Sequence, residues 1–82
     1  WFVYIISCSD NSLYTGATTD ILRRIKEHNS GKGGSYTRVR LPVKLAYKEA
    51  CSTRSQALKR EYLIKCWPRD KKLALINGSI LF

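Results

Sequence analysis

Apolar residues fill both faces of the first eight positions. Trp1-Phe2-Val3-Tyr4-Ile5-Ile6-Ser7-Cys8 is β-branched and aromatic almost throughout, which is the pattern of a strand covered on both sides. Ser9-Asp10-Asn11-Ser12 is turn chemistry, and Leu13-Tyr14-Thr15-Gly16-Ala17 returns as a second strand, so a hairpin is predicted. Thr18-Thr19-Asp20 offers N-cap side chains and Asn29-Ser30-Gly31 a stop, bracketing a helix over 20–29. On its wheel Ile21, Leu22 and Ile25 form the apolar arc, Arg24 and His28 edge that arc, and Arg23, Lys26 and Glu27 face away.

The remaining pattern is less regular. Gly31-Lys32-Gly33-Gly34-Ser35 reads as a flexible loop, 36–42 as basic irregular chain, and 43–51 as a third strand. Ser52 or Thr53 caps a helix running to Cys66, and Pro68 suits the first turn of a further helix ending at Asn77-Gly78. The order β-β-α-β-α-α predicts an α+β fold, a small three-stranded antiparallel sheet flanked by helices, in one domain over 1–82.

Two features of this pattern carry candidate chemistry. Glu61 falls inside the apolar arc of the second long helix, with Ala57 and Ile64 beside it, where a carboxylate is costly unless paired or metal-bound. Pairing with Arg60, Lys65 or another basic neighbour is one reading and a functional carboxylate the other. Tyr4 and Tyr14 share a face of the hairpin only if its loop has three residues, for example Asp10-Asn11-Ser12, or contains a bulge. A shared face is the expectation, although a strand tyrosine taken singly reads as core.

Charge narrows the function classes. The 82 residues carry fifteen bases and six acids, a net charge of +9 and a pI near 9.8, which points to an anionic partner: nucleic acid first, an anionic membrane surface second. All the bases lie between Arg23 and Lys72, so the basic footprint belongs to the middle of the chain. There is no run long and apolar enough to span a membrane and no secretory signal pattern, so the chain reads as cytosolic and not membrane-bound. Cys8, Cys51 and Cys66 are odd in number and lack metal-ligand spacing, which fits reduced thiols. Starting at Trp1 rather than Met, the sequence leaves the position of the native N-terminus open.

Four elements coincide: Phe2-Val3-Tyr4, Tyr14-Thr15-Gly16 ten residues on, Arg24 eight residues past that glycine with His28 one turn later, and Glu61 within Arg60-Glu61-Tyr62-Leu63-Ile64-Lys65. Together they resemble the GIY-YIG nuclease superfamily over nearly the whole chain, and most of all its small stand-alone proteins of bacteria and DNA viruses. Phe2 replaces the first motif's glycine and Thr15 the isoleucine of the second.

The resemblance implies metal-dependent hydrolysis of DNA phosphodiesters, with RNA left open and repair or recombination as the setting. It makes Glu61 the ligand of Mg2+ or Mn2+, Arg24 the stabiliser of transition-state charge, and Tyr4 and Tyr14 the pair that activates and orients the attacking water. It also has His28 assist proton transfer or hold the phosphate, and Gly16 and Asn77 support the site. Structural readings stand beside these: a surface Arg24, a structural His28, a strand-end Gly16, and Asn77 as a helix C-cap next to Gly78.

Lys32, Tyr36, Arg38 and Arg40 interleave cations with an aromatic and are candidates to grip a DNA backbone or stack a base; a solvated loop is the alternative. With 82 residues, no appended recognition domain is expected, so a protein partner is expected to aid targeting, and nothing in the sequence sets an oligomeric state. The competing class is a nucleic-acid-binding module of the same fold with weak or no catalysis.

Overall fold

The double-sided apolar pattern of the first strand follows from its position at the centre of the sheet. In the computed structural model, which describes residues 1–78, β1 (Phe2–Ser7) lies between β2 (Leu13–Thr18) and β3 (Lys44–Ala50), antiparallel to both. The last residues of the expected domain, 79–82, lie outside the described residues. Alternate positions of β1 feed two cores. Val3 and Ile5 pack with Ala57, Ile64 and Leu75, whereas Tyr4 and Ile6 pack with Ile21 and Val43. Helix α1 (Ile21–Asn29) therefore covers the Tyr4 face, and α3 (Arg54–Lys65) and α4 (Arg69–Ile76) cover the Val3 face. One element was not expected: α2 (Ser35–Arg38), a single helical turn inside the stretch read as irregular.

Turn chemistry sets the register. The hairpin closes through Ser9-Asp10-Asn11, one residue earlier than the example considered from sequence. The Cys8 N–H donates to the Ser12 carbonyl at 2.9 Å, and Asn11 takes the left-handed position at φ 67°, which asparagine tolerates and a three-residue hairpin loop requires. The Asp10 carboxylate accepts from the Ser12 N–H at 3.0 Å and its hydroxyl at 2.6 Å. Tyr4 then pairs with Gly16 and Ile6 with Tyr14, so both tyrosines project from one face, as expected. Against β3, Ile5 opposes Tyr47 and Ile6 opposes Leu45; Ala46 is the extra residue of a bulge.

The helices begin where the caps were read. The Asp20 side chain accepts from the Arg23 N–H, and that of Thr53 from the Gln56 N–H. Pro68 stands at the N-cap of α4 rather than inside its first turn. Asn29 ends α1 and bonds both backbone groups of Val43, donating to the carbonyl at 3.1 Å and accepting from the N–H at 2.8 Å. This tie carries the chain into β3. The buried stripe of α3 is narrower than its sequence suggested: Ala57 and Ile64 are fully buried, while Leu58, Tyr62 and Leu63 are exposed. All three cysteines are free thiols, and no helix among the described residues is long and apolar enough to cross a membrane.

Thr15, the residue that departs from the second motif, carries a stability prediction. It is 3% exposed, and its hydroxyl oxygen has no hydrogen-bond partner among the described residues. Thr15→Val keeps the shape and removes the unsatisfied group, so the variant is expected to gain about 1 kcal/mol and melt about 4–8 °C higher in a thermal unfolding scan. A lower melting temperature would show that the hydroxyl has a partner.

Candidate active site

The site begins with a missing side chain. A Cβ on Gly16 would stand 2.5 Å from Tyr4 Cζ, so the absence of one lets the Tyr4 ring lie across β2. The phenol ends at His28, with Tyr4 Oη and His28 Nε2 3.2 Å apart. On the far side of the imidazole, Nδ1 lies 2.7 Å from Thr37 Oγ1, and Thr37 in turn donates to the Gly34 carbonyl at 3.5 Å. With the Thr37 hydroxyl turned to Gly34, its oxygen accepts from Nδ1–H, and in that tautomer the Nε2 lone pair faces the Tyr4 hydroxyl. His28 is fully buried, inside the apolar arc that it was expected to edge.

Arg24 completes this cluster from one turn earlier on α1. Its Nη2 donates to the Gly33 carbonyl at 2.8 Å, and its Nη1 lies 3.5 Å from Glu27 Oε1. Burial pushes the Tyr4 phenol above its ordinary value, with the Arg24 guanidinium opposing. Burial also pushes His28 down, and the nearby Arg24 charge adds to that. Burial works against the Arg24 charge as well, but Tyr4 and Glu27 outweigh it and raise its pKa. The imidazole is therefore neutral and the guanidinium charged at neutral pH.

The His28 shift has a consequence for stability. An imidazole held below its ordinary 6.5 in the folded chain leaves stability full above that value and erodes it as pH falls towards the lower folded-state value, because the unfolded chain takes up the proton first. The denaturant midpoint is expected to drop between about pH 7.5 and about pH 5.5, with a smaller drop in His28→Gln. Equal slopes in the two proteins would contradict this.

The glycine-rich stretch, expected to be a flexible loop, is a loop tied to α1. The Gly31 N–H donates to the His28 carbonyl at 3.0 Å and the Lys32 N–H to the Glu27 carbonyl at 2.9 Å. Gly33 is buried, and a Cβ there would lie 2.6 Å from His28 Cα. The loop is a wall of the site. Gly33 and Thr37 line the site against His28, and pattern reading missed both: a glycine among glycines and a threonine among bases carry no periodic signal.

Tyr14 is half-buried on the same face as Tyr4. It meets the His28 ring edge-on at a centroid distance of 5.5 Å and stacks on Tyr36 of α2 at 5.9 Å. The Arg40 guanidinium sits 4.0 Å from the Tyr36 centroid, pairs with Asp10 at 3.1 Å and donates to the Tyr36 carbonyl at 2.8 Å. Tyr36 and Arg40, expected to grip nucleic acid, are thus engaged with each other and with the hairpin. Lys32 and Arg38 stay exposed.

Glu61 approaches from α3, on the opposite side of the sheet. Its Oε2 is 3.1 Å from Lys65 Nζ, and the same ammonium lies 5.8 Å from the Tyr14 ring centroid. The carboxylate is also close enough to Tyr4 to contribute to the rise of the phenol's pKa. So Tyr4, Tyr14, Arg24 and His28 meet directly, and Glu61 joins them through Lys65. The ion pair expected under the structural reading of Glu61 is present. Asn77 stands apart at the C-cap of α4, its N–H donating to the Leu73 carbonyl at 3.0 Å.

The donor chemistry suits a hard divalent ion held sparsely. No group of three or more His, Cys, Asp or Glu gathers among the described residues, and both His28 nitrogens are engaged. One carboxylate already faced by a cation is compatible with Mg2+ or Mn2+, which take one or two carboxylates and complete their shell with water and phosphate oxygens.

Residues 1–74 match the family model described as the GIY-YIG catalytic domain. A UPF0213 protein of Staphylococcus aureus is 57% identical over 76 residues, 93% of each chain. The solution NMR structure of a UPF0213 protein from Bacillus halodurans superposes with a TM-score of 0.60 at 47% identity, covering 93% of this chain and 81% of that one. A protein of E. faecalis, also solved by NMR, gives 0.63 at 39% identity over 94% of this chain and 82% of its own.

Proposed function

Because the chain belongs to the GIY-YIG catalytic-domain family, a nuclease superfamily, we propose that it is a divalent-metal-dependent endonuclease that hydrolyses DNA phosphodiester bonds. The observation that carries this reading is the meeting of Tyr4, Tyr14, Arg24 and His28 around one point, with Glu61 one ion pair away.

Each side chain has a task its surroundings suit. Arg24, charged and forked, faces the negative charge that builds on the phosphate oxygens as water attacks phosphorus. Tyr4 is a relay rather than a standing phenolate, since its pKa is raised: its oxygen takes a proton from the attacking water while its own proton passes to the Nε2 of neutral His28. Thr37 holds that imidazole in the accepting tautomer. Tyr14, at the rim, orients the water, and Glu61 holds the Mg2+ or Mn2+ ion. When bound, that ion supplies Lewis-acid stabilisation of the phosphoryl charge. Exposed Lys32 and Arg38 add sequence-independent phosphate contacts, which make binding salt-sensitive.

The test is cleavage of flap, nicked, branched and single-stranded DNA, with RNA alongside, in Mg2+, Mn2+ or EDTA. Metal-dependent cutting that is lost in Glu61→Gln while DNA binding persists is the expected result. The Glu61–Lys65 pair favours a second reading, a nucleic-acid-binding module in which that carboxylate is only structural. Binding without cutting on every substrate would support it and sink the nuclease.

A further inference from the structure

Four ion pairs join described residues, and one is lopsided. In Lys65–Glu61 the carboxylate is the least exposed of the four at 19%, and its cation the most exposed at 48%. Glu61 is thus the fixed partner, set on the stripe that holds Ala57 and Ile64 against the sheet, while Lys65 reaches it from solvent on a flexible stem. The ammonium is 3.1 Å from the Glu61 oxygen and 5.8 Å from the Tyr14 ring centroid, so it sits where the carboxylate meets the site.

Resting on the assignment of the metal to Glu61, we propose that Lys65 is a positioning residue that stands in for the metal: its ammonium neutralises Glu61 in the metal-free protein and leaves when a divalent cation binds. An inward carboxylate without a counter-charge is destabilising, so the metal-free fold gains modestly from such a partner. An i, i+4 pair with a half-exposed lysine is weak and yields readily to a doubly charged ion. The flexible stem that lets Lys65 leave also lets it reach an incoming DNA phosphate.

The stand-in has a measurable cost. A positive charge within a few ångströms of the ion lowers its affinity both by competing for Glu61 and by repulsion. Lys65→Met is therefore expected to bind Mn2+ about three- to tenfold more tightly than the native chain. Lys65→Arg, which keeps the charge and grips a carboxylate with two donors, is expected to bind it more weakly than the native chain.

The experiment is a titration of the full chain with Mn2+ alone, read by paramagnetic broadening of backbone amide signals around Glu61, with Glu61→Gln as control and thermal melts in EDTA alongside. Tighter binding in Lys65→Met together with a lower melting temperature in EDTA supports the proposal, because lost packing alone would not raise metal affinity. Unchanged or weaker Mn2+ binding in Lys65→Met, with broadening still lost in Glu61→Gln, overturns the stand-in and leaves the metal at Glu61. Absence of any Glu61-dependent broadening overturns both.

Discussion

Arg24→Ala is expected to lower the single-turnover rate of DNA cleavage by about 10²–10³, the usual effect of removing one preorganised donor from a developing oxyanion. The guanidinium has two jobs that this variant removes together. It donates to the Gly33 carbonyl at 2.8 Å and stands beside the Tyr4 phenol. The first is structural, and losing a charged hydrogen bond of this kind costs about 1.5–3 kcal/mol. Arg24→Lys separates the jobs: it keeps a charge but lacks the fork, and is expected to stay about tenfold or more below the native rate. DNA binding should change little in either variant, because the other cations remain. A native rate in Arg24→Ala at a temperature where it is folded would assign Arg24 to structure alone.

Adding one methyl group at each of two glycines should separate stability from activity. At Gly33 the new Cβ would meet the His28 ring and, at 2.6 Å, the His28 Cα. Backbone cannot swing aside, so Gly33→Ala is expected to lose about 2–3 kcal/mol, lowering the melting temperature by on the order of 10 °C or more. At Gly16 the Cβ would meet only the far end of Tyr4, with Cζ at 2.5 Å. A phenol can move, but moving it breaks the contact with His28 Nε2, at 3.2 Å. Gly16→Ala is therefore expected to remain folded with a smaller loss of stability and to lose most of its cleavage. Thermal melts and cleavage rates on both variants check the contrast. A Gly16→Ala protein that cuts at the native rate would show that the Tyr4–His28 contact is dispensable.

Much of this architecture is legible before any coordinates. The both-faced apolar run of β1 fits its place at the sheet centre, where both faces are covered. Asp20 and Thr53 mark helix starts because their oxygens accept the N–H groups that a first helical turn leaves unpaired. The resemblance to the GIY-YIG superfamily put Tyr4, Tyr14, Arg24, His28 and Glu61 forward as one set. Less legible were the elements with no period. The single turn α2 is too short to show one, and the path of the glycine-rich loop is set by the Gly31 and Lys32 bonds to α1 carbonyls and by the close fit of Gly33 against His28.

What the order of residues determined alone is the framework: strand and helix positions, turn chemistry, the basic middle and the residue types available for phosphate chemistry. The elements and turns follow from local propensity and periodicity, which act within a few residues, and the phosphate-chemistry candidates from the family resemblance. What tertiary structure decided is which of those groups meet. The three-residue loop set a register that turned Tyr4 and Tyr14 to one face, and α3 brought Glu61 and Lys65 to the same sheet from its other side. Tyr36 and Arg40, two of the candidates to grip DNA, stand in a stack between Tyr14 and Asp10. Burial then set the protonation of His28 and Tyr4. Such outcomes depend on distances between segments far apart along the chain, and packing fixes those distances only when the whole chain folds.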